Sequence, residues 1–324
     1  MKKLIIGLFL ITILLVWNVS SESDNAIIIY SSAEQFRNDE LQEQLNERFP
    51  DLNTYVMYMP TAKAAAKIGA EGEDTDADII VALETAYLEK IKDQLEDISG
   101  LSRLEYMDGL SDIDNRYVIW ERQAGSVIIN KTVLEKYNLP IPETYEDLLD
   151  PIYKNLIAMP DPKSSGTGYL FYKNLVNVMG EQEALEYIDK LAMNIKQFTE
   201  SGSGPVKLLI QQEVAIGLGL TFQAVNELNE GNAFIILQPE YGSPYSLTGT
   251  ALVKGRNNNQ DIMRVFDFII NDFLMYDKEY FSPEQILKEQ DNKIENYPQN
   301  IQYADMSGIE DIDEKERLLS LWKY

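Results

Sequence analysis

Residues 158–180, AMPDPKSSGTGYLFYKNLVNVMG, gather small hydroxyls and glycines where an apolar run gives way to helical spacing. Ser164, Ser165 and Thr167 bring side-chain donors, and Gly166 and Gly168 let the backbone bend sharply or come close to a ligand. The first turn of the following helix has N–H groups without intrahelical partners, and the helix dipole adds positive potential there. Such a unit can hold an anion. It can equally be a capped connection with no ligand. No Gly-Lys-Ser/Thr follows at the spacing of a nucleotide-binding loop, which excludes that chemistry.

Three more junctions have the same make-up. Ser31 and Ser32 follow an apolar run, Thr61 follows Pro60, and Ser201 and Ser203 stand just before Pro205. Each taken singly reads as a helix cap. Together they would line a cleft with backbone N–H groups and hydroxyls, a cage for a compact anion that closes by a hinge motion. Glu84 ends an apolar run and has two readings, an acceptor for an amine or sugar hydroxyl, or a cap for the next helix. Tyr241 and Tyr245 either wall a pocket or pack at a crossing between domains. Arg122 either meets an anionic ligand or pairs with a carboxylate such as Glu121. Asp74, Asp76 and Asp78 imitate the start of a calcium loop, but the required glycine is absent and position twelve is Thr85, so no metal site is expected.

Composition removes whole classes. The chain of 324 residues has no Cys and no His, which excludes disulfides, thiolate and imidazole metal sites, acyl-cysteine intermediates and Ser-His-Asp hydrolysis. A net charge of −25 argues against a nucleic-acid partner. No catalytic residue and no cofactor is expected. Carboxylate chemistry remains the enzymatic alternative, a hydrolase acting on sugars through two acids facing across a cleft.

The elements that must position these groups follow from periodicity. Strands are expected over 26–30, 53–59, 79–82, 117–120, 126–130, 156–159, 195–198, 214–220, 233–237 and 247–254, with a break at 121–125. Helices are expected from Ser32 to about Phe49 with Ser32 and Gln35 as a capping box, after Pro60, and over 132–137, 145–149, 182–191, 222–228 and 262–274. Further helices start after Ser165 and at Pro205, and the acidic C-terminal segment is expected to brace the first domain. A basic start, Met1 to Lys3, and the uncharged apolar residues 4–17 read as a signal peptide or N-terminal membrane anchor within 1–22. Without Cys, lipid attachment is excluded.

PDPKSSGTGY followed by an amphipathic helix, ESGSGPVKLLIQQEVAIGLGL (200–220) and GSPYSLTGTALVKG (242–255) resemble the bacterial extracellular solute-binding proteins. The group resembled takes ferric iron, aminoethylphosphonate, hexose phosphate and related solutes. The resemblance covers nearly all of the chain beyond the N-terminal segment. It implies an α/β, two-lobed type II periplasmic-binding-protein fold, each lobe a central sheet flanked by helices, joined by two hinge crossings. One lobe would comprise 26–122 with 241–324, the other 126–238. It further implies an extracytoplasmic monomer that hands a small anionic solute to an ABC transporter permease. A related role is sensing, with hexose phosphate reported to a membrane kinase, and the missing Cys points that way. Ferric iron is disfavoured because no adjacent tyrosine pair and no His is present, and polyamines because no aromatic box with acids is visible. Phosphate esters and phosphonates remain.

Overall fold

The computed structural model describes residues 26–324 apart from 102, 111–113, 292–293 and 299. The signal segment inferred above lies outside the described residues. Among the described residues no helix is long and apolar enough to cross a membrane.

The described residues begin with β1 (Ala26–Ser31), α1 (Gln35–Arg48), β2 (Asn53–Tyr58), α2 (Thr61–Glu71), β3 (Ile79–Glu84) and α3 (Thr85–Lys90). β1 lies parallel to β2 on one side and to β3 on the other. All six residues of β3 are buried, as expected of a strand covered on both faces. Next come β4 (Val118–Asn130), α4 (Lys131–Tyr137) and β5 (Ile157–Pro160), then α5 (Gly166–Met179), α6 (Glu181–Leu191) and β6 (Ile195–Thr199). They are followed by α7 (Gly204–Ile210), β7 (Ile216–Leu220), α8 (Thr221–Asn229), β8 (Phe234–Leu237) and β9 (Tyr245–Leu252). The sheet runs β2-β1-β3-β9-β4-β7-β5-β6, with β8 also on β4.

β4 is the pivot of this topology. Residues Val118 to Ala124 pair with β9, while Gly125 to Ile129 pair with β7 and Val127 to Asn130 with β8. Two strands with a break at 121–125 were expected; the structure has one strand of 13 residues. The polar stretch Glu121-Arg122-Gln123 misled the periodicity, because its backbone keeps the ladder to β9 while its side chains find charged and aromatic partners.

Two main hydrophobic cores result. The first draws on residues between Ile27 and Trp120 and on Leu247 to Leu287. The second draws on Val127 to Phe222 and on Tyr297, Met306, Leu318 and Trp322. A smaller cluster under α7 and α8 covers the other face of the second half of the sheet. The segment expected as one amphipathic helix over 262–274 is α9 (Gln260–Phe268), a π-turn at Ile269–Phe273 and α10 (Leu274–Tyr280), with Phe266, Ile269, Ile270 and Phe273 all buried.

Two local expectations are corrected. Ser32 and Gln35 form no capping box: Glu34 is the N-cap of α1 and makes no capping hydrogen bond, while the Ser32 hydroxyl donates to the Met59 carbonyl at 2.9 Å. The C-terminal helix α11 (Ile312–Leu321) packs on the second core rather than bracing the first, because Leu318 and Trp322 are buried there against Tyr172 and Phe198. Its charged face nonetheless reaches back, with Lys90 and Glu316 paired at 2.8 Å.

Candidate functional site

A cavity of about 310 Å³ opens between the two cores. Its walls come from the ends of strands and the starts of helices on both sides. From the first side, Ser32 follows β1, Thr61 starts α2 and Glu84 ends β3. Thr61 is held there because its hydroxyl accepts from the Glu84 backbone N–H at 3.1 Å. From the second side, Ser164, Ser165, Gly166 and Thr167 bring the start of α5, and Ser201 and Ser203 bring the loop before α7. The four hydroxyl-rich junctions singled out by sequence therefore meet on one cavity.

The chain turns at Asp161, whose carbonyl accepts from the Ser165 N–H at 2.9 Å, and Ser165 becomes the N-cap of α5 with an extended backbone. Its hydroxyl makes no capping hydrogen bond, so it is not committed to holding the helix. The loop before α7 fits closely over this start. A Cβ on Gly202 would lie 2.3 Å from the Thr167 hydroxyl oxygen, so only glycine allows that approach.

Four of the named residues lie elsewhere. Ser31 is buried, and its hydroxyl accepts from the Ala33 N–H at 3.2 Å. Gly168 serves packing: a Cβ there would stand 2.5 Å from the Pro160 carbonyl oxygen, so the glycine lets α5 lie against the end of β5. Tyr241 stacks on Tyr145, and Tyr245 meets Tyr303 edge to face. Arg122 joins that second group, its guanidinium 4.1 Å from the Tyr303 ring centroid, where its charge acts on the Glu284 carboxyl rather than on Glu121. Glu121 pairs with Arg37 at 2.8 Å. Two of the three calcium-like acids are engaged as well: Asp76 with Lys67 at 2.7 Å, and Asp78 with Arg256 at 2.9 Å. Among the described residues no group of three or more Asp or Glu side chains is arranged to hold a metal ion.

Several lining residues carried no sequence signal. Gln123 comes from β4, and Ser246 and Thr248 from β9, so the strands that cross between the cores form the cavity floor. Tyr58, Gln223, Glu34 and Glu200 are also on the lining. Ala82, also on the lining, has φ of +57°, at a point where the β3–β9 pairing shifts register between Ile80 and Leu83. A strained bulge of this kind re-aims the residues beyond it, here Glu84. The one available signal was Ala82's position at the C-terminal end of a strand in an open sheet, where α/β folds bind ligands.

The lining has no Lys or Arg among the described residues and three carboxylates, Glu34, Glu84 and Glu200. Two of these are paired just behind the wall, Glu34 with Arg37 at 3.0 Å and Glu84 with Lys315 at 2.5 Å. Burial pushes the Glu34 carboxyl up against the pull of Arg37.

Comparison with known proteins places this geometry in context. A family model described as bacterial extracellular solute-binding protein matches residues 74–306. An uncharacterized protein of Haemophilus influenzae is 24% identical over 264 residues, 78% of this chain and 75% of that protein. Among solved structures, the periplasmic binding protein AfuA from Actinobacillus pleuropneumoniae, with exogenous fructose-6-phosphate bound, is similar with a TM-score of 0.78 at 22% identity, over 92% of this chain and 97% of that one. The periplasmic binding protein P5PA is similar with a TM-score of 0.76 at 22% identity, over 92% and 98%. Apo ferric ion-binding protein A of Pasteurella haemolytica is similar with a TM-score of 0.73 at 14% identity, over 92% and 96%. At these identities the likeness establishes the fold, a curled mixed sheet flanked by helices as in the type II periplasmic binding proteins.

Proposed function

The chain belongs to the bacterial extracellular solute-binding proteins, and from that premise we propose that it captures a small phosphate ester or phosphonate outside the cytoplasmic membrane for delivery to an ABC importer. The two cores are the two lobes in this reading, with β4 and β9 as the crossings that flex. The observation that carries it is the meeting of hydroxyl-bearing helix starts from both cores on one cavity, with the Ser165 hydroxyl free of capping duty. A phosphoryl group out of bulk water needs several directed donors. Ser164, Ser165, Thr167, Ser201 and Ser203 supply them, together with the N–H groups at the start of α5. AfuA, solved with fructose-6-phosphate, is a neighbour consistent with that choice. Binding rather than catalysis is supported by the ion pairs that occupy both Glu34 and Glu84. Reporting to a membrane kinase rests on the absence of Cys alone and stays the secondary role.

Thermal unfolding with fructose 6-phosphate, glucose 6-phosphate, 2-aminoethylphosphonate, spermidine and ferric citrate tests the reading. A phosphorylated or phosphonylated solute should raise the midpoint with concentration as RT ln(1 + [L]/Kd). A response to spermidine or ferric citrate alone overturns it. Ser165→Ala should weaken the responding solute by tenfold or more, since a hydrogen bond to a charged group contributes about 1.5–3 kcal/mol. The fold should stand, because no capping bond is lost. Gly166→Val should act more strongly: even a Cβ there would come 3.3 Å from Glu84 Oε2.

A further inference from the structure

An anion entering this cavity faces three carboxylates and, among the described residues, no lining cation. Glu84 is the innermost, only 7% exposed. Its Oε1 accepts from Lys315 Nζ at 2.5 Å, across 231 residues of sequence. Lys315 does not line the cavity. Its ammonium sits behind Glu84 on α11, 4.9 Å and 4.6 Å from the ring centroids of Tyr87 and Tyr169. Those two rings and the pairing fix which carboxylate oxygen faces backward. The other, Oε2, faces Gly166 at the start of α5, and no described residue donates to it. Thr248, paired with Glu84 across the β3–β9 ladder, also lines the cavity. It is 4% exposed, and its hydroxyl has no hydrogen-bond partner among the described residues. Buried polar groups are almost always paired. A one-sided carboxylate beside an unpartnered hydroxyl on a cavity wall points to a partner that arrives with the solute.

We infer that Glu84 and Thr248 read a hydrogen-bond donor on the solute, a hydroxyl or ammonium group, and that Lys315 is the positioning residue that turns Glu84 toward it. The inference rests on the solute-binding reading of the same cavity and narrows it. The anionic group must share a small molecule with a donor, so that the charge held at the hydroxyl-rich helix starts is offset at Glu84. A bare anion of the same size meets the Glu84 carboxylate with nothing to give it. The donor is therefore a criterion of selection as well as of affinity.

The pairing also dictates what a substitution does. Lys315 has only donors to offer, so in Glu84→Gln the amide oxygen must take its place against Nζ. The amide NH₂ then faces the cavity, and an acceptor has been exchanged for a donor. Calorimetry on the full chain with two matched pairs reads this out: 2-aminoethylphosphonate against ethylphosphonate, and glucose 6-phosphate against cyclohexylmethyl phosphate. The parent should favour the donor-bearing member of the pair it binds by roughly tenfold or more. Glu84→Gln should cut that ratio to below about threefold and tighten the donor-free member. Lys315→Met should lower the ratio as well, and Lys315→Arg should restore part of it, whereas a merely structural lysine would change both members equally. Unfolding midpoints of the variants confirm that they fold. Tight binding with the ratio unchanged in Glu84→Gln overturns this inference and leaves the proposed function standing. Failure of every phosphate and phosphonate to bind the parent overturns both.

Discussion

Replacing Arg37 by methionine should destabilise the protein by about 4 kcal/mol at neutral pH. The guanidinium is 1% exposed and donates from Nε and Nη2 to the two Asp277 oxygens at 2.8 Å and 2.7 Å. Its Nη1 lies 3.0 Å from Glu34 and 2.8 Å from Glu121 Oε2, the latter contact too bent to count as a hydrogen bond. Glu121 and Asp277 have no exposed side-chain surface at all. After the substitution Asp277 keeps Lys278 at 2.8 Å, but Glu121 keeps only the neutral amide of Gln123. Removing one partner from a buried pair costs about 3–5 kcal/mol. The surviving Lys278 lowers the figure and the orphaned Glu121 raises it, hence the middle of the range, a large share of the roughly 5–15 kcal/mol that holds a folded domain together. Urea unfolding followed by tryptophan fluorescence at pH 7 and pH 5 is the assay. In the parent, burial pushes the Asp277 carboxyl up, but Arg37 and Lys278 outweigh it and hold the group below the usual range. That stability is present above the unfolded pKa, about 3.9, and is lost only as pH falls through the folded value. In the variant burial is less opposed, the folded carboxyls rise, and stability is lost as pH climbs from about 4 toward 7. The difference between the two proteins should therefore be larger at pH 7 than at pH 5. A cost below about 1 kcal/mol at pH 7, or an equal cost at both, refutes the reasoning.

Three further outcomes are expected. Gly202→Ala should weaken the solute found by the thermal panel at least tenfold in calorimetry, because the new Cβ would sit 2.3 Å from the Thr167 hydroxyl and spread the two helix starts apart. Trp322→Ala should cost about 3–5 kcal/mol in urea unfolding, since the indole is 3% exposed and meets Tyr172, Phe198 and Tyr324. Tyr169→Phe removes a buried hydroxyl without a partner and keeps the ring beside Lys315, so unfolding should show stability unchanged or raised by up to about 1 kcal/mol.

The parts of the site legible in the sequence are those whose chemistry is local. A hydroxyl or glycine at a strand-to-helix junction announces itself within a few residues, and Ser32, Thr61, Ser164 to Thr167, Ser201 and Ser203 all reach one cavity. Gly168 looked the same and is not there, because a glycine needed for close packing on Pro160 has the same signature as one needed for a ligand. Gln123, Ser246 and Thr248 were invisible, since they belong to crossing strands whose pattern reports only pairing. Tyr241 and Tyr245 were expected to wall a pocket or pack at a crossing; Tyr241 stacks on Tyr145, and Tyr245, the first residue of β9, packs on Tyr303. Lys315 could not have been found by spacing, because what defines it is a contact with Glu84 made through the tertiary fold. The C-terminal helix went to the other core for a like reason: its acids suggested a surface brace, and Leu318 and Trp322 decided where it lies.

The way the chain threads its two cores sets the order in which either can be finished during synthesis. The first needs strand and helix residues from 247 to 287, long after its opening strands have been made. The second needs Leu318 and Trp322, far along the chain from its first residue, Val127. Neither of the two main cores can therefore close before residue 287 has been made, and the usual advantage of the N-terminal unit folding first is lost. The late, distant contacts also make the search slow. Until its late segments arrive neither main core can lock, and a chain without a locked core can still be threaded through a narrow pore.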